Sequence, residues 1–126
     1  MYKRKQKFEG SVSESFFLWG PGQPGKSTLL KVLYPDSLWF DLLLTDVFER
    51  FQRNPSQLRE IIMATQPVKP VVIDEIQKIL ALLNEIHWLI ENNKIRFILS
   101  GSSPWKIIRS QVNLLGGRAL RYDRNH

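Results

Sequence analysis

The chain has 126 residues, 43% of them hydrophobic, and no cysteine; this permits one packed domain and excludes wholesale disorder, disulfides and thiolate metal sites. The net charge of +6 is concentrated at the ends: residues 1–7 carry +4 through Lys3, Arg4, Lys5 and Lys7, residues 8–105 hold 9 basic and 11 acidic side chains, and residues 106–126 carry +4 again. No apolar run approaches the roughly 20 residues of a membrane helix, and no hydrophobic signal core follows the basic start "MYKRKQKFEG", so no membrane partner and a cytoplasmic location are expected.

In chain order, residues 15–20 (SFFLWG) predict a short buried strand, and 26–34 (KSTLLKVLY) predict a helix with Leu29, Leu30 and Leu33 on one face. Pro35 and Asp36 end that helix. Residues 38–43 predict a second strand. Thr45 is the expected N-cap of a helix over 46–53, whose apolar face is Val47, Phe48 and Phe51. Asn54, Pro55 and Gln57 form a capping-box-like restart for a helix carrying Leu58, Ile61 and Ile62. Pro67 to Pro70 is a connector. Residues 71–74 (VVID) are a continuous apolar run ending in a carboxylate, the pattern of a central parallel strand. A helical period over 79–92 stops at Asn92-Asn93, and 96–100 (RFILS) predict a further strand. Ser103-Pro104 opens a helix to about Gln111, "NLLGGR" is a turn, and residues 119–123 predict a fifth strand. Strands alternating with helices imply an α/β fold, with a parallel sheet covered on both faces.

The stretch Gly20-Pro21-Gly22-Gln23-Pro24-Gly25-Lys26-Ser27 fits G-x-x-x-x-G-K-[ST] between the first strand and the first helix. The chemistry of a phosphate loop needs these residue types. Small residues let backbone N–H groups converge on phosphate oxygens, and the helix start adds further donors and a positive dipole end. Gly20, Gly22, Gln23, Gly25, Lys26, Ser27 and Thr28 are therefore the expected nucleotide-binding residues. Lys26 would neutralise the β- and γ-phosphates, and the Ser27 hydroxyl would bind Mg²⁺. Pro24 has no N–H and removes one possible donor.

Asp74-Glu75 lies about fifty residues further on. A carboxylate closing a buried strand suits a metal site shared with Ser27, and the next carboxylate can orient an attacking water. Ser100, Ser102 and Ser103 follow the next apolar strand, and Ser102 is the favoured γ-phosphate sensor. Arg118, after Gly116-Gly117, is placed to act as an arginine finger on a neighbouring subunit. The plainer alternatives are a strand-ending acid pair, a helix cap at Ser103 and a surface arginine in a turn. His87 is assigned no carboxylate or histidine at metal spacing and reads as packing or surface. The four tryptophans are dispersed, which favours core packing over a base-stacking platform.

Together "FFLWGPGQPGKSTLLKVLYPD", "PVVIDEIQKI", "NEIHWLIENNKIRFILSGSSP" and "NLLGGRALRY" resemble the N-terminal ATPase domain of prokaryotic AAA-type P-loop ATPases. The resemblance implies a three-layer P-loop NTPase fold of the additional-strand type, with sheet order 5-1-4-3-2, that binds ATP and Mg²⁺. It implies Glu75 as the catalytic glutamate, Ser102 at the first sensor position, Arg118 at the finger position, and a homo-oligomer through Arg118. It also divides the chain into a basic segment over 1–13 and an ATPase core over 14–126. That core is expected to be truncated, because the family continues into a nuclease-like or DNA-binding C-terminal domain. The expected function is Mg²⁺-dependent hydrolysis of ATP to ADP and phosphate, slow in isolation. The alternative is a nucleotide-dependent switch that contacts DNA or a partner through the basic ends without significant turnover.

Overall fold

The structure, a computed structural model, describes residues 15–19, 25–102 and 118–121, with the backbone alone at 25–26 and 118–121. Five strands form one sheet: β1 (Phe16–Trp19), β2 (Trp39–Asp41), β3 (Val71–Asp74), β4 (Phe97–Gly101) and β5 (Arg118–Arg121). Four α-helices lie among the described residues: α1 (Gly25–Leu33), α2 (Thr45–Arg53), α3 (Ser56–Thr65) and α4 (Leu82–Asn93). A 3-10 turn, Ile76–Lys78, joins β3 to α4.

All strand pairs are parallel, in the order β2-β3-β4-β1-β5. From β1 the chain crosses to the far edge at β2, then steps back through β3 to β4. With right-handed crossovers, opposite directions of travel place the connections on opposite faces. The core is divided accordingly. Phe16, Leu18, Val72 and Ile98 pack with Leu30 and Tyr34 of the α1 region. Phe17, Phe40, Val71, Ile73, Phe97 and Leu99 face α2, α3 and α4, meeting Phe51, Leu58, Ile62, Ile86 and Leu89. Alternate residues of each strand thus bury opposite faces, so β3 and β4 read as unbroken apolar runs.

The local signals of the sequence differ from the structure at several points. The predicted second strand, 38–43, narrows to three residues, because the Asp41 carboxylate accepts the Leu43 N–H at 3.0 Å and turns the chain. Thr45 lies inside α2 instead of capping it. Leu44 holds the cap position in an extended conformation without a side-chain cap, and its carbonyl accepts the Phe48 N–H at 2.8 Å. The expected capping box at Asn54 does not form. Asn54 Oδ1 accepts the Ser56 hydroxyl at 2.7 Å, while backbone bonds from Gln57 and Leu58 to Asn54 and Pro55 start α3. The helix expected over 79–92 begins at Leu82, because the tighter 3-10 turn occupies the first residues after β3. It ends at Asn93, where the sequence places the stop, with Lys94 beyond it in the left-handed region, φ 57°. Residues 1–14, the loop 20–24, the helix expected from Ser103 with Trp105, the turn over 113–117 and residues 122–126 lie outside the described residues.

Candidate functional site

The carboxyl ends of β1, β3 and β4 form one edge of the sheet. In open α/β sheets, ligands bind in the crevice beyond this edge. Parallel register places Asp74 opposite Ser100, and Ser100 opposite Leu18. β4 therefore lies between the strand that leads into the glycine-rich loop and the strand that ends in Asp74.

Asp74 is almost completely buried, as is Ser100. A buried carboxylate requires compensating donors. Asp74 Oδ2 accepts the Ser27 hydroxyl at 2.5 Å, and Asp74 Oδ1 accepts the Ser100 hydroxyl. Ser27 stands in the first turn of α1, where the N–H groups of an α-helix have no intrahelical partner. Residues 47 apart in sequence are thus joined at the mouth of the sheet, beside a helix start suited to anions.

Glu75 follows immediately and is half-buried. Its backbone is left-handed, φ 64° and ψ 48°, a conformation costing a non-glycine residue about 1–2 kcal/mol. This bend directs the chain from β3 into the 3-10 turn. Glu75 Oε1 accepts two side-chain hydrogen bonds, from Gln77 Nε2 at 2.6 Å and from the Ser102 hydroxyl at 3.2 Å. Gln77 Nε2 also lies 3.2 Å from Ser102 Oγ.

Of the residues singled out in the sequence, the structure brings Ser27, Asp74, Glu75 and Ser102 to this edge, with Thr28 next to Ser27 in α1. The backbones of Gly25 and Lys26 form the start of α1. Gly20, Gly22 and Gln23 lie outside the described residues. Arg118 is not part of this cluster. It opens β5 level with Phe16, three strands and about 14 Å across the sheet from β3. His87 does have a carboxylate at helical spacing, contrary to the sequence reading: Nε2 lies 3.9 Å from Glu91 Oε2 on the exposed face of α4. Two side chains of the cluster have no partner legible in the sequence. Ser100 is one of three hydroxyls after an apolar strand, and the register of β3 with β4 supplies its partner. Gln77 sits in a three-residue turn, where no periodicity marks its direction.

A family model described as AAA domain matches residues 13–124. The chain belongs to the AAA domain family. No curated protein matches it. Membership identifies the AAA domain as a nucleotide-binding domain of the ATPase type. Among its described residues, no helix is long and apolar enough to cross a membrane.

Among those residues no group of three or more His, Asp or Glu gathers as a metal cage. Mg²⁺ does not require one, since it keeps several waters and takes one or two protein oxygens plus phosphate oxygens. The Ser27 hydroxyl and the Asp74 carboxylate, 2.5 Å apart, are hard oxygen donors of the right kind. The donor set fits that ion.

Proposed function

We propose that the chain is an ATP-binding domain that hydrolyses ATP to ADP and phosphate with Mg²⁺, slowly when alone. The convergence of Ser27 and Ser100 on Asp74 at the carboxyl edge of the sheet carries this reading. It joins the helix that follows the glycine-rich loop to the acidic end of a neighbouring strand, as a metal–phosphate site requires. The strand order, with β1 between β4 and β5, supports a three-layer P-loop fold of the additional-strand type. Within it, residues 1–13 are a basic segment and 14–126 the ATPase core, and the expected location is the cytoplasm.

In this proposal the backbone of Gly20, Gly22, Gln23 and Gly25, with Thr28, cradles the phosphates. Lys26 neutralises charge on the β- and γ-phosphates. Ser27 and Asp74 hold Mg²⁺, which when bound supplies positive charge at the phosphate oxygens. Ser100 fixes the second oxygen of Asp74 and thereby its orientation. Glu75 orients the attacking water, and Ser102 contacts the γ-phosphate. Arg118 opens β5 level with Phe16, at the end of the strands away from the carboxyl edge, and in this proposal it acts on the nucleotide of a second copy. A finger supplied by a second copy is the reason turnover is proposed to be slow in an isolated chain.

Glu75→Gln tests the reading. It keeps the shape of the side chain and removes the charge that aligns water, so nucleotide affinity should persist while turnover falls by about 10²–10⁴-fold. Turnover equal to that of the unaltered chain would remove Glu75 from the reaction.

The second reading is a nucleotide-dependent DNA- or partner-binding module. Its support is the charge of +4 on residues 1–7 and again on 106–126. It predicts DNA binding that weakens steeply with salt and disappears when residues 1–7 and 118–126 are deleted. Binding that survives the deletion contradicts it.

A further inference from the structure

Gln77 has no role in the reading above, yet it touches both polar side chains that reading places beside the γ-phosphate. We infer that Gln77 is a positioning residue that holds the Glu75 carboxylate in its water-orienting place and ties that place to Ser102. The inference rests on the proposed ATPase reading.

Three observations support it. First, Gln77 Nε2 donates to Glu75 Oε1 at 2.6 Å and lies 3.2 Å from Ser102 Oγ, so one amide group bridges both. An ionised carboxylate only accepts hydrogen bonds, which determines that the NH₂ end of Gln77 faces it. Second, both donors converge on the same oxygen, Oε1. The carboxylate is fixed from one side, and among the described residues Oε2 takes no hydrogen bond. A water can be aligned by Oε2 without displacing a protein donor. Should Ser102 turn toward a phosphate, Gln77 still holds Oε1.

Third, the fold makes room for this arrangement. Among the described residues, Gln77 Oε1 is buried without a hydrogen-bond partner. It approaches Gly101 so closely that a Cβ there would lie 2.5 Å from it. A buried amide oxygen without a partner calls for a compensating arrangement elsewhere in the side chain. The unpaired oxygen is the consequence of aiming the nitrogen at Glu75 and Ser102. Gly101, the last residue of β4, leaves the space that permits it.

The experiment compares the full chain with Gln77→Met and Gly101→Ala. ATP-Mg²⁺ binding is followed by thermal shift and phosphate release is measured in the same samples. Gln77→Met keeps the length of the side chain and removes its donors. It should lower kcat about tenfold or more, leave KM for ATP within about twofold, and leave the melting temperature unchanged or raised. Gly101→Ala pushes the retained glutamine aside and should lower kcat in the same sense. A Gln77→Met kcat within twofold of the unaltered chain, or above it, overturns the inference while leaving the ATPase reading intact. A matched loss of kcat and melting temperature overturns it in favour of a packing role. An unaltered chain that neither binds nor hydrolyses ATP overturns the ATPase reading itself, and one that binds without turnover overturns hydrolysis and the positioning role together, leaving nucleotide binding.

Discussion

Asp74 is the residue through which the site is assembled. Its two oxygens take hydroxyls from different elements, Ser27 of α1 and Ser100 of β4. Removing either donor leaves a buried carboxylate oxygen short of a partner, a loss of about 1–3 kcal/mol. Ser100→Ala should therefore lower the unfolding free energy by that amount in urea denaturation, since residue 100 is fully buried and water cannot replace the hydroxyl cheaply. A change below about 0.5 kcal/mol would show that Ser100 does not support the carboxylate. The acid at the end of β3 is legible in the sequence because "VVID" is a run of apolar residues broken by one charge. The left-handed backbone of Glu75 is not. Nothing in the residue type glutamate favours that region, and only the requirement to turn from β3 into Ile76–Lys78 imposes it.

At the scale of elements, the strands follow from continuous apolar runs and the helices from hydrophobic period, while their ends do not. The runs of β1, β3 and β4 divide residue by residue between the two core clusters, and the helical spacing of Leu58 and Ile62 survives intact in one of them. The ends of α2 and α3 depend on competition for a few hydrogen bonds, and there the residue signals at Thr45 and Asn54 lose. Asp41 accepts the Leu43 amide and ends β2, Leu44 takes the cap position of α2, and the Asn54 side-chain oxygen accepts the Ser56 hydroxyl. α4 ends through Lys94, with the Ile95 N–H bonded to the Leu89 carbonyl at 3.3 Å. A left-handed residue after a helix favours glycine. Lys94→Gly should raise the unfolding free energy by about 1 kcal/mol without affecting nucleotide binding, read from a denaturant midpoint. A drop in stability would mean that the lysine side chain contributes more than its backbone costs. Between α3 and α4, Arg59 pairs with Glu85 at 2.7 Å and lies over the Trp88 ring at 5.7 Å. This partly exposed contact keeps the two helices in register.

For the whole molecule, topology determines what lies where. The order β2-β3-β4-β1-β5 sets β4 between the loop-bearing strand and the acidic strand. A serine at the end of β4 thereby becomes the partner of Asp74. The same order puts the start of β5 three strands from β3. These consequences are invisible to local pattern reading, because strand order follows from crossovers between distant segments. The face-by-face division of the core has the same origin. Phe51 is fully buried and meets Phe40 edge-on, with ring centroids 5.4 Å apart at 81°. It thereby fastens α2 to the edge strand β2.

The central claim is that the start of α1 and the end of β3 grip the polyphosphate of a nucleotide with Mg²⁺. Its most direct test is a titration of the chain with ATP-Mg²⁺, followed by melting temperature, beside the same titration of Lys26→Ala. A ligand that binds only the folded state at 100 times its Kd adds about 2.7 kcal/mol of stability. The account predicts a midpoint that climbs with ATP-Mg²⁺ in the unaltered chain and stays nearly flat in Lys26→Ala. Equal climbs in the two proteins, or no climb in either, would contradict it.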